Sequence, residues 1–200
     1  MGKTDLEKVE RAVEKVVVLE APAKIELAAR HYRNFMKAAG LPLAGEAGKT
    51  PERVARMFVT EFCSHNGHPP AVALFDARGY DQYVVERDIR FSSLCSHHHL
   101  PFAGSMCVGY HPKRWLAGLS KIPRVIRYFA ARPQLQEHLA TEVAEYLYRE
   151  LQPYGLLVVV EGLHSCMQCR GVMDPQTRTI TSKLLGNLDK HEMLTLMKGF

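Results

Sequence analysis

With 200 residues, 46% of them hydrophobic and 24% charged, the chain has the composition of a folded globular protein and not of a disordered, collagen-like or low-complexity one. Its 26 Lys and Arg against 21 Asp and Glu leave a formal charge of +5, yet no block of five or six basic residues occurs. That pattern argues against nucleic acid and for a compact polyanion as partner. The longest aliphatic run, Leu156 to Val160, falls well short of the ~20 residues that span a bilayer. Met1 to Lys15 alternates acid and base, unlike an export or transit signal, so a cytoplasmic protein without a membrane partner is expected.

Leu6 to Leu19 carries Val9, Val13, Val16 and Val17 at helical spacing and stops before Pro22. A second helix is predicted from Ala23 to Ala39, ending at Gly40. A third starts with Thr50 as cap and Pro51 at its first position, with Val54, Met57, Phe58 and Phe62 along one side. From about Tyr83 the period changes to two. Tyr83 to Phe91 and Phe102 to His111 read as strands, and Gly118 to Pro123 as a turn. Two helices follow, Pro123 to Ala131 and Gln134 to Leu151, the longer burying Leu135, Leu139, Val143, Leu147 and Leu151. Leu156 to Glu161 reads as a buried strand. In a last strand Thr177, Thr179 and Thr181 alternate with Arg178, Ile180 and Ser182. The expected fold class is α+β, with a four-stranded antiparallel sheet covered by helices on one side. The expected division is a helical segment over residues 1–80 and a catalytic unit over 81–200. Such a sheet has two open edges, and closing them by self-association predicts a ring-like oligomer.

The five cysteines, Cys63, Cys95, Cys107, Cys166 and Cys169, are an odd number without an export signal. Metal binding or burial is therefore expected in place of disulfides. In Cys95-Ser96-His97-His98-His99, a Cys and a His three apart on a turn have zinc-knuckle spacing, and Cys166 or Cys169 can add sulfur. Thiolate and imidazole donors favour zinc over magnesium or calcium. Two readings stand side by side. One is a closed, non-catalytic site of Cys95, His98, Cys166 and Cys169, in a module that binds nucleotide or RNA. The other keeps three protein ligands and leaves the fourth corner to water, as catalytic zinc does. His97 and His164, titrating neighbours that a closed site does not need, favour the second.

The stretches HHHLPF, GLSKIPR, RPQLQE and HSCMQCRGV, in this order between Thr50 and about Leu188, resemble those of the GTP cyclohydrolase I family. The resemblance implies the T-fold, an antiparallel four-stranded sheet with two helices on one face, here preceded by N-terminal helices. It implies a homodecamer of two pentamers with active sites between subunits. The implied reaction is zinc-dependent hydrolysis and rearrangement of GTP to 7,8-dihydroneopterin triphosphate and formate, the first step of pterin and tetrahydrofolate biosynthesis. By resemblance Cys95, His98 and Cys166 match the zinc ligands, and His97 and His164 the catalytic histidines. Ser120, Lys121, Arg124 and Arg170 match residues that handle ribose and triphosphate, with Arg53 and Arg56 further basic residues at the triphosphate end. Gln136 and Glu137 match the guanine-reading pair. Ser96 stands where Glu is usual, Cys107 where His is common, and Cys169 where Met or Ala is usual; none replaces a matched ligand or catalytic histidine.

The chemistry suits these residue types. C8 of guanine is a weak electrophile, and metal-activated water supplies a nucleophile near neutral pH. His97 is expected to act as acid at N7, and His164, two residues before Cys166, to share its strand face and transfer protons. A carboxylate accepts N1–H and the 2-amino group of guanine together, which adenine cannot match, so Glu137 predicts discrimination against ATP. Read locally, Glu137 in a first helical turn need only complement the helix dipole. Cys63 and Cys107 are expected to be small buried hydrophobes, and His31, His65, His111, His138 and His191 structural or surface residues.

Overall fold

The computed structural model describes residues 20–64 and 67–198; the expected helix from Leu6 to Leu19 and His65 lie outside the described residues. The chain forms two compact units, Met1–Glu61 and Phe62–Phe200.

In the first unit, helix α1 (Ala21–Ala38) has Pro22 in its first turn, where a missing N–H costs nothing, and ends before Gly40 at φ +70°. Helix α2 (Thr50–Met57) follows a 3₁₀ turn (Gly45–Lys49). Thr50 does not act as the expected cap: it is the first helical residue, Lys49 occupies the cap position, and no side chain bonds the free N–H groups. An Arg33–Glu52 ion pair of 2.7 Å ties the two helices together. The expected run to Phe62 continues as a π-helical turn (Phe58–Phe62).

The second unit carries two sheets. A small one pairs β1 (Leu74–Asp76) with β4 (Trp115–Ala117). The main sheet contains β2 (Val84–Cys95), β3 (Pro101–His111), β5 (Pro133–Gln134), β6 (Gly155–His164) and β7 (Thr179–Gly186), in the order β5-β2-β3-β6-β7. Its four long strands are antiparallel, as expected. The fifth, β5, is a two-residue parallel addition that sets Gln134 beside Cys95.

Helices α3 (Lys121–Ala130) and α4 (Gln136–Leu151) cover one face. The turn expected up to Pro123 is shorter, because α3 already starts at Lys121 and holds Pro123 in its first turn, where no N–H is needed. Alternation divides β6 cleanly. Leu156, Val158 and Val160 point into the core beneath α3 and α4, with Ile122, Ile126, Leu139, Val143, Leu147 and Leu151 packed opposite. Each such fully buried side chain contributes about 1.5–3 kcal/mol. Leu157 and Val159 point to the other face, where helix α6 (Lys190–Lys198) packs Met193 and Met197. Gly109 makes that docking feasible, since a Cβ there would stand 2.2 Å from the Met193 sulfur. Asp189 starts α6 by accepting the N–H groups of His191 and Glu192 at 2.8 and 3.0 Å. Those bonds hold its carboxyl below the usual range. Cys107 packs against this second cluster, but Cys63 is exposed, contrary to expectation.

Candidate metal and nucleotide site

The site lies where β2 ends, β3 begins and β6 ends. The β2–β3 connection is a tight loop: Cys95 N–H donates to Leu100 O (2.9 Å) and His99 N–H to Cys95 O (2.8 Å). His99 takes φ +52°, a left-handed conformation that His tolerates better than most side chains. The loop buries Cys95 at 4% exposure and leaves Ser96, His97 and His98 exposed. Ser96 donates its backbone N–H to Gln134 O at 3.2 Å.

Strand β6 stops at His164, and the chain turns into a four-residue helix, α5 (Ser165–Gln168). Cys166 therefore reaches the site from a helical turn and not by the strand alternation expected with His164. The donor atoms of Cys95, His164 and Cys166 lie within 4.8 Å of one another. Burial pushes the Cys166 thiol up, and neighbouring Cys95 adds to the shift. Two sulfurs and an imidazole at this separation fit a zinc ion in donor type and in number for an open site.

The other matched residues fall into distinct environments. His98 lies outside this cluster; its Nε2 accepts from Arg170 at 2.8 Å. His97 Nδ1 is 3.6 Å from the Cys95 sulfur. Cys169 does not close the site: its thiol donates to Ser165 O at 3.0 Å and is exposed. Glu137 is exposed in the first turn of α4, whereas Gln136, one residue earlier, is 2% exposed with its amide spent inside the protein. His164 stacks on Phe102 (4.7 Å, 1°) and bonds Gln136 Oε1 at 2.9 Å. Burial lowers its pKa, with Glu137 pulling the other way. Ser120 and Arg124 are exposed and Lys121 half-buried at the start of α3. Arg124 lines a cavity of about 420 Å³ with Arg127 and His68. In the first unit, Arg53 and Arg56 are exposed on α2.

Sequence reading missed Phe102, Thr179 and Thr181 as parts of this assembly. Phe102 lay within a quoted motif, and the threonines within a recognised alternation. Their contacts to His164 and Gln136 depend on strand register.

Fold and site together define an α+β protein that gathers two thiols and an imidazole within 4.8 Å of one another at one end of its main sheet, with Glu137 exposed at the start of α4. The sequence profile described as GTP cyclohydrolase I matches residues 28–198. GTP cyclohydrolase 1 of Sulfurihydrogenibium sp. (strain YO3AOP1) is 51% identical over 138 residues, 68% of this chain and 72% of that one. GTP cyclohydrolase 1 of Halalkalibacterium halodurans is 39% identical over 206 residues, covering both chains completely. Among solved structures, the apo form of the archaeosine synthase QueF-Like aligns with a TM-score of 0.40 at 16% identity, over 54% of this chain and 96% of that one. The chain belongs to the GTP cyclohydrolase I family.

Proposed function

We infer that the protein is a GTP cyclohydrolase I, an enzyme that opens the guanine imidazole ring of GTP, releases C8 as formate and forms 7,8-dihydroneopterin triphosphate. The observation that carries this is the convergence of Cys95, His164 and Cys166 within 4.8 Å in a chain of this family. Cys95 and Cys166 would hold a zinc ion, with His98 as third ligand, exchanging its bond to Arg170 for the metal. When bound, zinc supplies Lewis acidity that activates water near neutral pH. Glu137 accepts the guanine N1–H and 2-amino group. His97 stands as acid for N7, and His164 moves protons in ring opening and in the sugar rearrangement. Ser120, Lys121, Arg124 and Arg170 bind ribose and triphosphate, Arg53 and Arg56 serve the triphosphate end, and some of these contacts cross between subunits.

Self-association is supported by β7, whose outer edge pairs with no described strand and which exposes Ile180 and Leu184. A decamer predicts one large species in light scattering; a monomer at micromolar concentration would refute it. Among described residues no helix is long and apolar enough to cross a membrane, which supports a cytoplasmic enzyme of pterin supply.

The deciding experiment incubates zinc-replete protein with GTP or ATP and measures formate and, after oxidation, pterin fluorescence. Both products are expected from GTP alone and should vanish with a chelator. Absence of formate from GTP would overturn the assignment, and turnover after complete zinc removal would overturn the metal's role.

A further inference from the structure

Gln136 is matched by resemblance to base reading, but its side chain is 2% exposed and both ends of its amide are engaged inside the protein. Its amide nitrogen lies 2.9 Å from Thr179 O, 3.3 Å from Val160 O and 3.2 Å from Thr181 Oγ1. Two of these are main-chain carbonyls, which only accept, so the NH₂ group must face them and the amide cannot be flipped. Oε1 then points the other way, 2.9 Å from Nε2 of His164. An amide oxygen only accepts, so Nε2 carries the hydrogen, and in a neutral imidazole Nδ1 holds the lone pair. Stacking on Phe102 at 4.7 Å and 1° restrains the ring plane. Gly162 leaves the room required, because a Cβ there would stand 2.4 Å from Gln136 Oε1.

We propose that Gln136 is a positioning residue that fixes His164 as the Nε2–H tautomer. His164 then keeps Nδ1 as its lone-pair nitrogen, the form in which it can take up a proton, and Glu137 reads the guanine edge without Gln136. The part concerning guanine rests on the GTP reading above; the tautomer does not.

The test is ¹⁵N NMR of full-length, chelator-treated protein with labelled histidine rings, the His164 signals being assigned with His164→Asn. An Nε2–H ring with bare Nδ1 is expected; an Nδ1–H ring overturns the proposal. Gln136→Glu, which keeps an acceptor, should retain the tautomer. Gln136→Met should give a mixture of forms, and an unchanged pure Nε2–H ring in it overturns the proposal. Should Gln136→Met fail to fold, the wild-type and Gln136→Glu spectra still decide.

In kinetics, Gln136→Met should lower kcat roughly 10–100-fold, the usual cost of losing the partner that orients such a histidine. KM for GTP and the preference for GTP over inosine triphosphate, which lacks the 2-amino group, should stay as in wild type. A changed preference would return Gln136 to base reading and sink the proposal. An Nε2–H ring in a protein that never turns over GTP would overturn the GTP reading and leave the Gln136–His164 device standing.

Discussion

At one end of the main sheet, where β2 stops at Cys95, β3 starts near Phe102 and β6 stops at His164, the buried groups are polar and directional. Gln136 spends its amide on Val160, Thr179, Thr181 and His164, and Ser93 donates to Arg132 O at 3.0 Å. At the other end, where β2 starts and β6 begins at Gly155, the same strands are packed mainly by apolar contact, with Met193 and Met197 of α6 lying on Leu157 and Gly109. The buried Tyr110 hydroxyl, accepting from Ala117 N–H at 3.0 Å, is an exception. Hydrogen bonds fix angles and so suit a site; burial is non-directional and so suits stability. If this division is real, changes at the first end should alter chemistry with little loss of stability, and changes at the second the reverse.

The largest effect expected is from Cys95→Ser. Serine fits the space of a residue only 4% exposed but replaces a thiolate donor with a poor one for zinc. Zinc content should fall and GTP turnover drop by on the order of 10³-fold or more, several kcal/mol of lost activation. The melting temperature of the metal-free protein should barely move. Metal analysis, formate release and a thermal melt check this together; retained zinc with retained turnover would break the division.

Next comes Met193→Ala at the opposite end. Met193 is fully buried, and truncating such a side chain costs about 2–5 kcal/mol. Denaturant unfolding should show that loss while kcat per folded active site stays at the wild-type value. A fall in kcat without a fall in stability would mean that the two ends are coupled.

The two ends also differed in how legible they were. The stripe Leu139, Val143, Leu147 and Leu151 declares α4 because burial of one helical face imposes its own period on sequence. The four long strands and the motif cysteines were readable for the same reason, since each signal is local. Strand β6 runs three residues past its predicted end to His164, because Gly162 interrupts the apolar run while serving Gln136. Helix α6 was missed although Asp189 as cap and Met193 and Met197 four apart were visible; what makes it a helix worth keeping is the bare Gly109 on a distant strand. The pairing of Gln136 with His164, and of His98 with Arg170, could not be read at all. Both join residues far apart in sequence through register and a helical turn that composition does not encode.

The smallest effect, and the one that sharpens the comparison most, concerns Glu86 at the start of β2. Its Oε1 is buried with no hydrogen-bond partner among the described residues, just before a bulge between Glu86 and Ile89 where Asp88 takes φ +59°. Burial raises its pKa from the ordinary 4.5 to about 7. A carboxyl with a raised folded-state pKa binds its proton more tightly in the fold than in the unfolded chain. Its contribution is therefore fully present below about 4.5 and is lost as pH rises through about 7. Glu86→Gln, neutral at every pH, removes that dependence. The variant should gain stability over wild type progressively between pH 5 and pH 8 by an amount below the Met193→Ala effect, since Glu86 is only half-buried. Thermal melts across that range measure it, with kcat on GTP unchanged. A variant-minus-wild-type difference that stays constant with pH would show that Glu86 does not titrate there. The orphaned carboxyl would then have found a partner in solution, adding a further directional contact to the Tyr110–Ala117 hydrogen bond at the far end.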